Sequence, residues 1–228
     1  MRIAEIYRSV QGEGFLTGVP SVFVRASGCN LRCWFCDTPY ASWEPEGRDM
    51  STDEIVSQVE EWDSEHVVVT GGEPMLFAEL IPLCGRLREI GRHVTIETAG
   101  TLHLNVECDL MSISPKFASS APDAKDEPHW HRRHERERHR PGVIRKLVSE
   151  YQYQLKFVVD SGDDLQAVRE YVVEFPEISR DRVLVMPQGT KQEQLEARGD
   201  WLKPFCEAEG FVFCPRKQIE WFGPVRGT

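Results

Sequence analysis

The chain has 228 residues, room for one domain of ordinary size or one with an elaboration, and enough to bury a core without disulfides. Its 40% hydrophobic and 28% charged residues exclude wholesale disorder and fibrous repeats. A formal charge of −10, from 27 basic and 37 acidic residues, disfavours sequence-blind contact with nucleic acid or an anionic membrane and leaves room for a local basic patch.

In chain order, the first buried strand is expected at Ser21–Val24, where β-branched and aromatic residues run together. Three closely spaced thiols follow it in Gly28-Cys29-Asn30-Leu31-Arg32-Cys33-Trp34-Phe35-Cys36-Asp37. Ser51-Thr52-Asp53-Glu54 reads as a capping box that opens a helix to about Trp62. A strand at His66–Thr70 runs into Gly71-Gly72-Glu73-Pro74, and Leu76–Ile90 reads as a helix. Strands follow at His93–Glu97 and Leu110–Ser114, then at Gln154–Val159 and Arg182–Met186, with a helix at Gly162–Glu174 between the last two. Such alternation predicts parallel strands joined by crossovers in an α/β fold, with the chemistry on loops after the carboxyl ends of the strands. Residues 1–228 are expected to form a single domain. No stretch approaches the roughly 20 apolar residues that cross a bilayer, and Met1–Arg8 lacks the apolar core of a signal peptide, so a cytoplasmic address away from membranes is expected.

Two segments interrupt the alternation. The polar stretch from about 118 to 147 carries His129, His131, His134 and His139 among arginines, which would repel a metal cation. A solvated or partner-facing helix is the expected fate of this run, with a tRNA- or phosphate-binding patch as the functional alternative. The aromatic and Gly-Pro content of the tail at about 214–228 predicts that it packs on the body.

Seven cysteines are present, four of them scattered as small partly buried hydrophobes at positions 84, 108, 206 and 214. Cys29, Cys33 and Cys36 form a C-x3-C-x2-C loop, which in a reducing compartment points to metal or redox work. Three thiolates so spaced suit three corners of a cubic iron–sulfur cluster and leave one iron open for a small molecule. Zinc is the alternative, although a structural zinc site closes with a fourth Cys or His and none follows within two dozen residues.

This loop, with an aromatic residue before its third Cys, resembles the radical S-adenosylmethionine superfamily, as does the Gly-Gly-Glu-Pro strand end at 71–74. The resemblance implies a partial TIM-type barrel with outer helices, a 4Fe-4S cluster on Cys29, Cys33 and Cys36, and a bound S-adenosylmethionine cleaved to a 5′-deoxyadenosyl radical. Within the superfamily, Gln11-Gly12-Glu13-Gly14, Gly18-Val19-Pro20, Cys36-Asp37-Thr38, Glu97-Thr98-Ala99-Gly100-Thr101, Ser112-Ile113-Ser114-Pro115-Lys116 and Tyr153–Val158 are similar to the motifs of the 7-carboxy-7-deazaguanine synthases. That family converts 6-carboxy-5,6,7,8-tetrahydropterin to 7-carboxy-7-deazaguanine with loss of ammonia, on the way to queuosine and related deazapurines.

Carried over by position, the resemblance implies that Val10, Gln11, Gly12, Glu13, Arg25 and Thr70 contact substrate, and that the Thr38 hydroxyl ligates Mg2+. It implies cofactor contacts at Phe35, Cys36, Asp37, Gly72, Glu73, Ser114, Pro115, Lys116, Gln154, Leu155, Lys156 and Phe157, with the Glu73 carboxylate free to accept from the methionyl ammonium and Glu97 at the ribose. No protein side chain is expected to do chemistry beyond cluster and cofactor. A homodimer, an external reductant of flavodoxin or ferredoxin type and no direct nucleic-acid contact complete the expectation. One departure stands out: Gln218 occupies the place of a tail histidine usual in the family, and an amide cannot carry a proton. A glycyl-radical activase, or a non-enzymatic iron–sulfur electron-transfer module, is the competing reading. The first has no use for Gln11-Gly12-Glu13-Gly14 and Thr38, the second none for Gly71-Gly72-Glu73-Pro74.

Overall fold

The computed structural model describes residues 1–228. Nine strands form one sheet: β1 (Arg2–Val10), β2 (Pro20–Ala26), β3 (Arg48–Asp49), β4 (His66–Gly71), β5 (His93–Thr98), β6 (Leu110–Ile113), β7 (Tyr153–Val159), β8 (Val183–Pro187) and β9 (Val212–Phe213). Their order is β3-β1-β2-β4-β5-β6-β7-β8-β9. From β2 to β9 every pairing is parallel, while β1 lies antiparallel to both β2 and β3. Sequence-order neighbours throughout the parallel part, with β3 and β9 left as edges, make this the open, partial form of a barrel.

All six predicted strands are present, and β1 was not among them. Arg2, Glu5 and Arg8 interrupt its apolar pattern, and a register shift between Ile3 and Glu5 breaks the two-residue period as well. The helices are α1 (Pro39–Ser42), α2 (Thr52–Glu60), α3 (Leu80–Glu89), α4 (Pro128–Glu137), α5 (Pro141–Glu150), α6 (Gly162–Glu174), α7 (Gln192–Glu209) and α8 (Lys217–Phe222). Ser51 and Glu54 close the predicted capping box of α2 reciprocally, at 3.2 and 2.7 Å. Helix α3 starts four residues later than its period suggested, because Pro82 has no N–H to extend a helix backward and is tolerated only in the first turn.

The core lies between the sheet and these helices. Val22 and Val24 of β2, Val67 and Val69 of β4, Ile96 of β5 and Ile113 of β6 face Val59, Leu83 and Leu87 in one continuous apolar cluster. Burying this face is what holds the carboxyl ends of β2 and β4 to β8 in register around a single mouth. No helix is long and apolar enough to cross a membrane.

Candidate active site

A cavity of about 430 Å3 opens at that mouth, between the strand ends and the tail. Cys29, Cys33 and Cys36 all line it as free thiols, and no fourth cysteine and no histidine does. Nor do any three His, Cys, Asp or Glu groups converge closely enough to ligate one metal ion. That spacing disfavours zinc and suits a cubic cluster, whose corners stand farther apart than the ligands of a single ion. Burial pushes the Cys29 thiol up to about 12 and the Cys33 thiol up to about 11, so both are protonated until a cation displaces the protons.

The loop bearing these thiols is held by backbone bonds to its neighbour strand. Gly72 N–H donates to the Ala26 carbonyl at 3.1 Å, Glu73 N–H to Gly28 at 2.8 Å and Gly28 N–H to Ala41 at 2.8 Å. A Cβ on Gly72 would collide with the Gly28 and Ala41 carbonyl oxygens. The close approach that only glycine permits is therefore built between the two motifs themselves. Gly72→Ala is expected to cost roughly 1–3 kcal/mol by overpacking against backbone and to lower iron retention on reconstitution, checked by denaturant unfolding of the apoprotein and iron analysis.

Glu73 departs from its expected role. Its carboxylate is fully buried, accepting from the Thr98 hydroxyl at 2.9 Å, the Ala99 N–H at 2.9 Å and the Met75 N–H at 3.0 Å, and it does not line the cavity. Burial raises its pKa. Far from waiting for an ammonium, it is the internal strut that ties the end of β4 to the end of β5.

The second half of the loop is clamped by the 118–147 segment. His134 is completely buried: Arg32 N–H donates to its Nδ1 at 3.2 Å, so Nε2 carries the proton and donates to Ser120 Oγ at 2.9 Å, which in turn donates to the Phe117 carbonyl at 2.6 Å. Burial depresses its pKa to about 4, which keeps the ring neutral and this tautomer in place. Arg32 stacks on Trp130 with its guanidinium carbon 3.8 Å from the ring centroid, and its Nη1 donates to the Cys29 and Leu31 carbonyls at 2.8 and 2.7 Å. Trp34 donates its backbone N–H to Ser120 and its indole N–H to Ser119. A solvated or partner-facing helix was expected here, with a tRNA- or phosphate-binding patch as the alternative; one face of α4 is instead part of the thiol loop's support.

Opposite the thiols stands a charge network. Lys156 of β7 donates to Glu13 at 2.5 Å and lies 3.3 Å from Glu97, whose other oxygen accepts from Thr70 at 2.7 Å. From the tail, Arg216 reaches Glu13 at 3.1 Å and Asp37, and the Gln218 amide N–H donates to Glu13 at 2.5 Å while its carbonyl oxygen stays buried without a donor. Against the cost of burial, Lys156 and Arg216 hold the Glu13 carboxyl well below the usual carboxylate range. Near the entrance Arg25 donates to Glu5 and to the Tyr7 hydroxyl at 2.7 Å each, and Arg226 of the tail braces the same Glu5 at 3.0 Å. Two of the three guanidinium nitrogens of Arg25 are thus committed, which leaves one edge free rather than an empty fork.

Val10, Gln11, Gly12, Glu13, Arg25 and Thr70 all line the cavity, with Phe35, Asp37, Thr38, Gly72, Ser114, Lys116 and Lys156. Gln154, Leu155, Phe157 and Pro115 do not. Strand alternation explains this: Lys156 and Val158 point into the cavity while Leu155 and Phe157 point into the core, where Phe157 stacks on Phe117 at 5.2 Å. Gln154 shares the face of Lys156 but is spent bridging Ser112 Oγ and Phe15 N–H at 2.8 Å each. Missed from sequence were Arg216 and Arg226, which lie about 200 residues from their partners and carry no local pattern, and the stacked pair Tyr7 and Phe23 on the cavity wall.

The radical SAM superfamily profile matches residues 23–119. A 7-carboxy-7-deazaguanine synthase of Rhodopirellula baltica is 48% identical over 227 residues, covering 99% of this chain and 88% of the relative. The chain belongs to the 7-carboxy-7-deazaguanine synthase family. A synthase of that name from Halobacterium salinarum is 41% identical, covering 95% and 88%. Among solved structures, QueE from Escherichia coli superposes with a TM-score of 0.69 at 21% identity, over 95% of this chain and 93% of that one, a likeness of fold. Membership in the 7-carboxy-7-deazaguanine synthase family makes this a radical SAM enzyme and accounts for the three-thiol cradle with its open side.

Proposed function

We propose that the chain converts 6-carboxy-5,6,7,8-tetrahydropterin to 7-carboxy-7-deazaguanine with release of ammonia. The observation that carries this reading is the placement of the three free thiols and the Glu13–Lys156–Arg216 network on one cavity. When bound, the cluster and S-adenosylmethionine supply a 5′-deoxyadenosyl radical that takes hydrogen from the pterin. The chain's own residues bind, orient and exclude water.

Glu13, held ionised, accepts from the amino and ring N–H groups of the pterin, with Gln11 beside it to donate and accept. Gln218 orients Glu13 through its amide N–H and presents its unpartnered carbonyl oxygen as an acceptor, and no proton passes through it. The free edge of Arg25 takes the substrate carboxylate. Of the five cations on the lining, Lys116 alone has no carboxylate within ion-pair distance, which leaves it available to a ligand carboxylate. Thr38 stands at the N-terminus of α1 without a side-chain capping bond, and its hydroxyl, 3.8 Å from the Cys36 sulfur on the cavity wall, serves as a hard-oxygen ligand for Mg2+. Backbone at Gly71 and Gly72, with Ser114 and Lys116, receives S-adenosylmethionine. A homodimer and cytoplasmic action belong to the same reading.

An anaerobic assay of reconstituted protein with dithionite, Mg2+, S-adenosylmethionine and the pterin, read by mass spectrometry, tests it. Ring-contracted product is expected. Deoxyadenosine without any deazaguanine would retain the superfamily and remove the substrate.

A further inference from the structure

The inner face of α4 braces the thiol loop, and its outer face is strongly basic. His129, Arg132, Arg133 and Arg136 fall at the spacing that puts them on one side of a helix. With Asn30, the residue after Cys29, and the exposed Leu76 they line a second cavity of about 390 Å3. Neither Arg132 nor Arg133 has a carboxylate within ion-pair distance, and the one acid in the cavity, Glu137, is already shared between Arg136 and Arg140. In a chain of net charge −10 this is a local reversal of sign, joined through Trp130 and Arg32 to the backbone of the cluster loop. Trp34, within that loop, is 52% exposed.

We propose that the outer face of α4 docks a small acidic one-electron carrier protein that reduces the cluster. The proposal rests on the radical SAM reading, which requires an external electron. Transfer balances as one electron: the carrier is oxidised by one unit and the cluster takes up that electron, with no bond made or broken in either protein. Charge complementarity selects the partner, because an acidic carrier shares the sign of this chain's net charge and is drawn to a patch of the opposite sign. Electron-transfer encounters are small and transient, and a helix-sized basic patch with one or two apolar side chains is of that scale.

The test uses the full chain with reconstituted cluster, reduced plant-type [2Fe–2S] ferredoxin as carrier, and dithionite as a small reductant that needs no docking. Bleaching of cluster absorbance in stopped flow gives the reduction rate, and anisotropy of labelled oxidised ferredoxin gives binding directly. The parent is expected to lose rate and affinity steeply as salt rises. Arg132→Glu/Arg136→Glu is expected to slow reduction by ferredoxin at least tenfold at low salt, with cluster content and reduction by dithionite unchanged. If that variant fails to hold its cluster, Arg132→Ala/Arg136→Ala, which removes charge without adding carboxylates, decides by the same two readouts. Ferredoxin reduction and binding unchanged in the variants would overturn the proposal, and so would loss of tRNA binding in the variants while ferredoxin reduction stayed intact. Absence of deoxyadenosine from the dithionite-reduced parent is read separately, as a failure of the underlying radical SAM reading.

Discussion

Cys29→Ala, Cys33→Ala and Cys36→Ala are each expected to abolish stable cluster binding and with it all cleavage of S-adenosylmethionine, whereas Cys84→Ala retains both. The contrast follows from where the thiols lie. The first three line the cavity, while Cys84 is wholly buried in α3 and its thiol is pushed up by the apolar core around it. Losing one of three thiolates leaves two corners held, and no other cysteine or histidine lines the cavity to substitute. Iron and acid-labile sulfide per chain check the prediction, and equal loss in Cys84→Ala would contradict it. Cys84→Ala removes a buried sulfur and costs some stability by leaving a small void, so unfolding is measured alongside.

Lys156→Met is expected to destabilise the apoprotein by roughly 1–3 kcal/mol and to abolish product formation, because it removes the cation shared by the largely buried Glu13 and the partly exposed Glu97. Glu13 keeps Arg216 and Gln218, but Glu97 keeps only the Thr70 hydroxyl. The pH dependence has a definite sign. Glu13, depressed from 4.5, contributes stability that is present above its unfolded pKa and lost as pH falls through the folded one. Lys156, raised from 10.5, contributes stability that is present below 10.5 and lost only as pH rises through its higher folded value. Between those limits the network's contribution is flat, so the difference in unfolding free energy between parent and variant should be constant near neutrality and shrink on acidification below about pH 4.5. A difference that grew on acidification would contradict the pairing.

What could be read from the sequence was whatever a local pattern carries. β-branched runs marked six of the seven parallel strands, Ser51 and Glu54 marked a helix start, and the thiol spacing with Gly71 and Gly72 marked the site. Contiguity misled where a motif runs through a strand: in Gln154–Phe157 only Lys156 lines the cavity, since neighbours alternate faces. Glu73 misled differently, because a carboxylate next to two glycines looks available until Thr98 and Ala99, on another strand, are seen to use it. The arginine-rich segment gave no hint of its inner face, since His134 and Trp130 differ from their neighbours only in what they meet across the chain. Gln218, noted as a departure, donates to Glu13.

The bonds from the tail to the first strand and its loop have a kinetic consequence. Gln218 to Glu13, Arg216 to Glu13 and Arg226 to Glu5 each join residues more than 200 positions apart, whereas the thiol loop closes against Gly72 and Glu73 within about 45. Closure entropy rises with the length of chain enclosed, which sets the long-range contacts among the last to form. Emerging from the ribosome, the chain has its cluster cradle and the strands around it available well before residues 214–228 arrive. The thiol loop's contacts with Gly72 and Glu73 are thereby made without residues 214–228, and the tail closes one wall of the cavity afterwards.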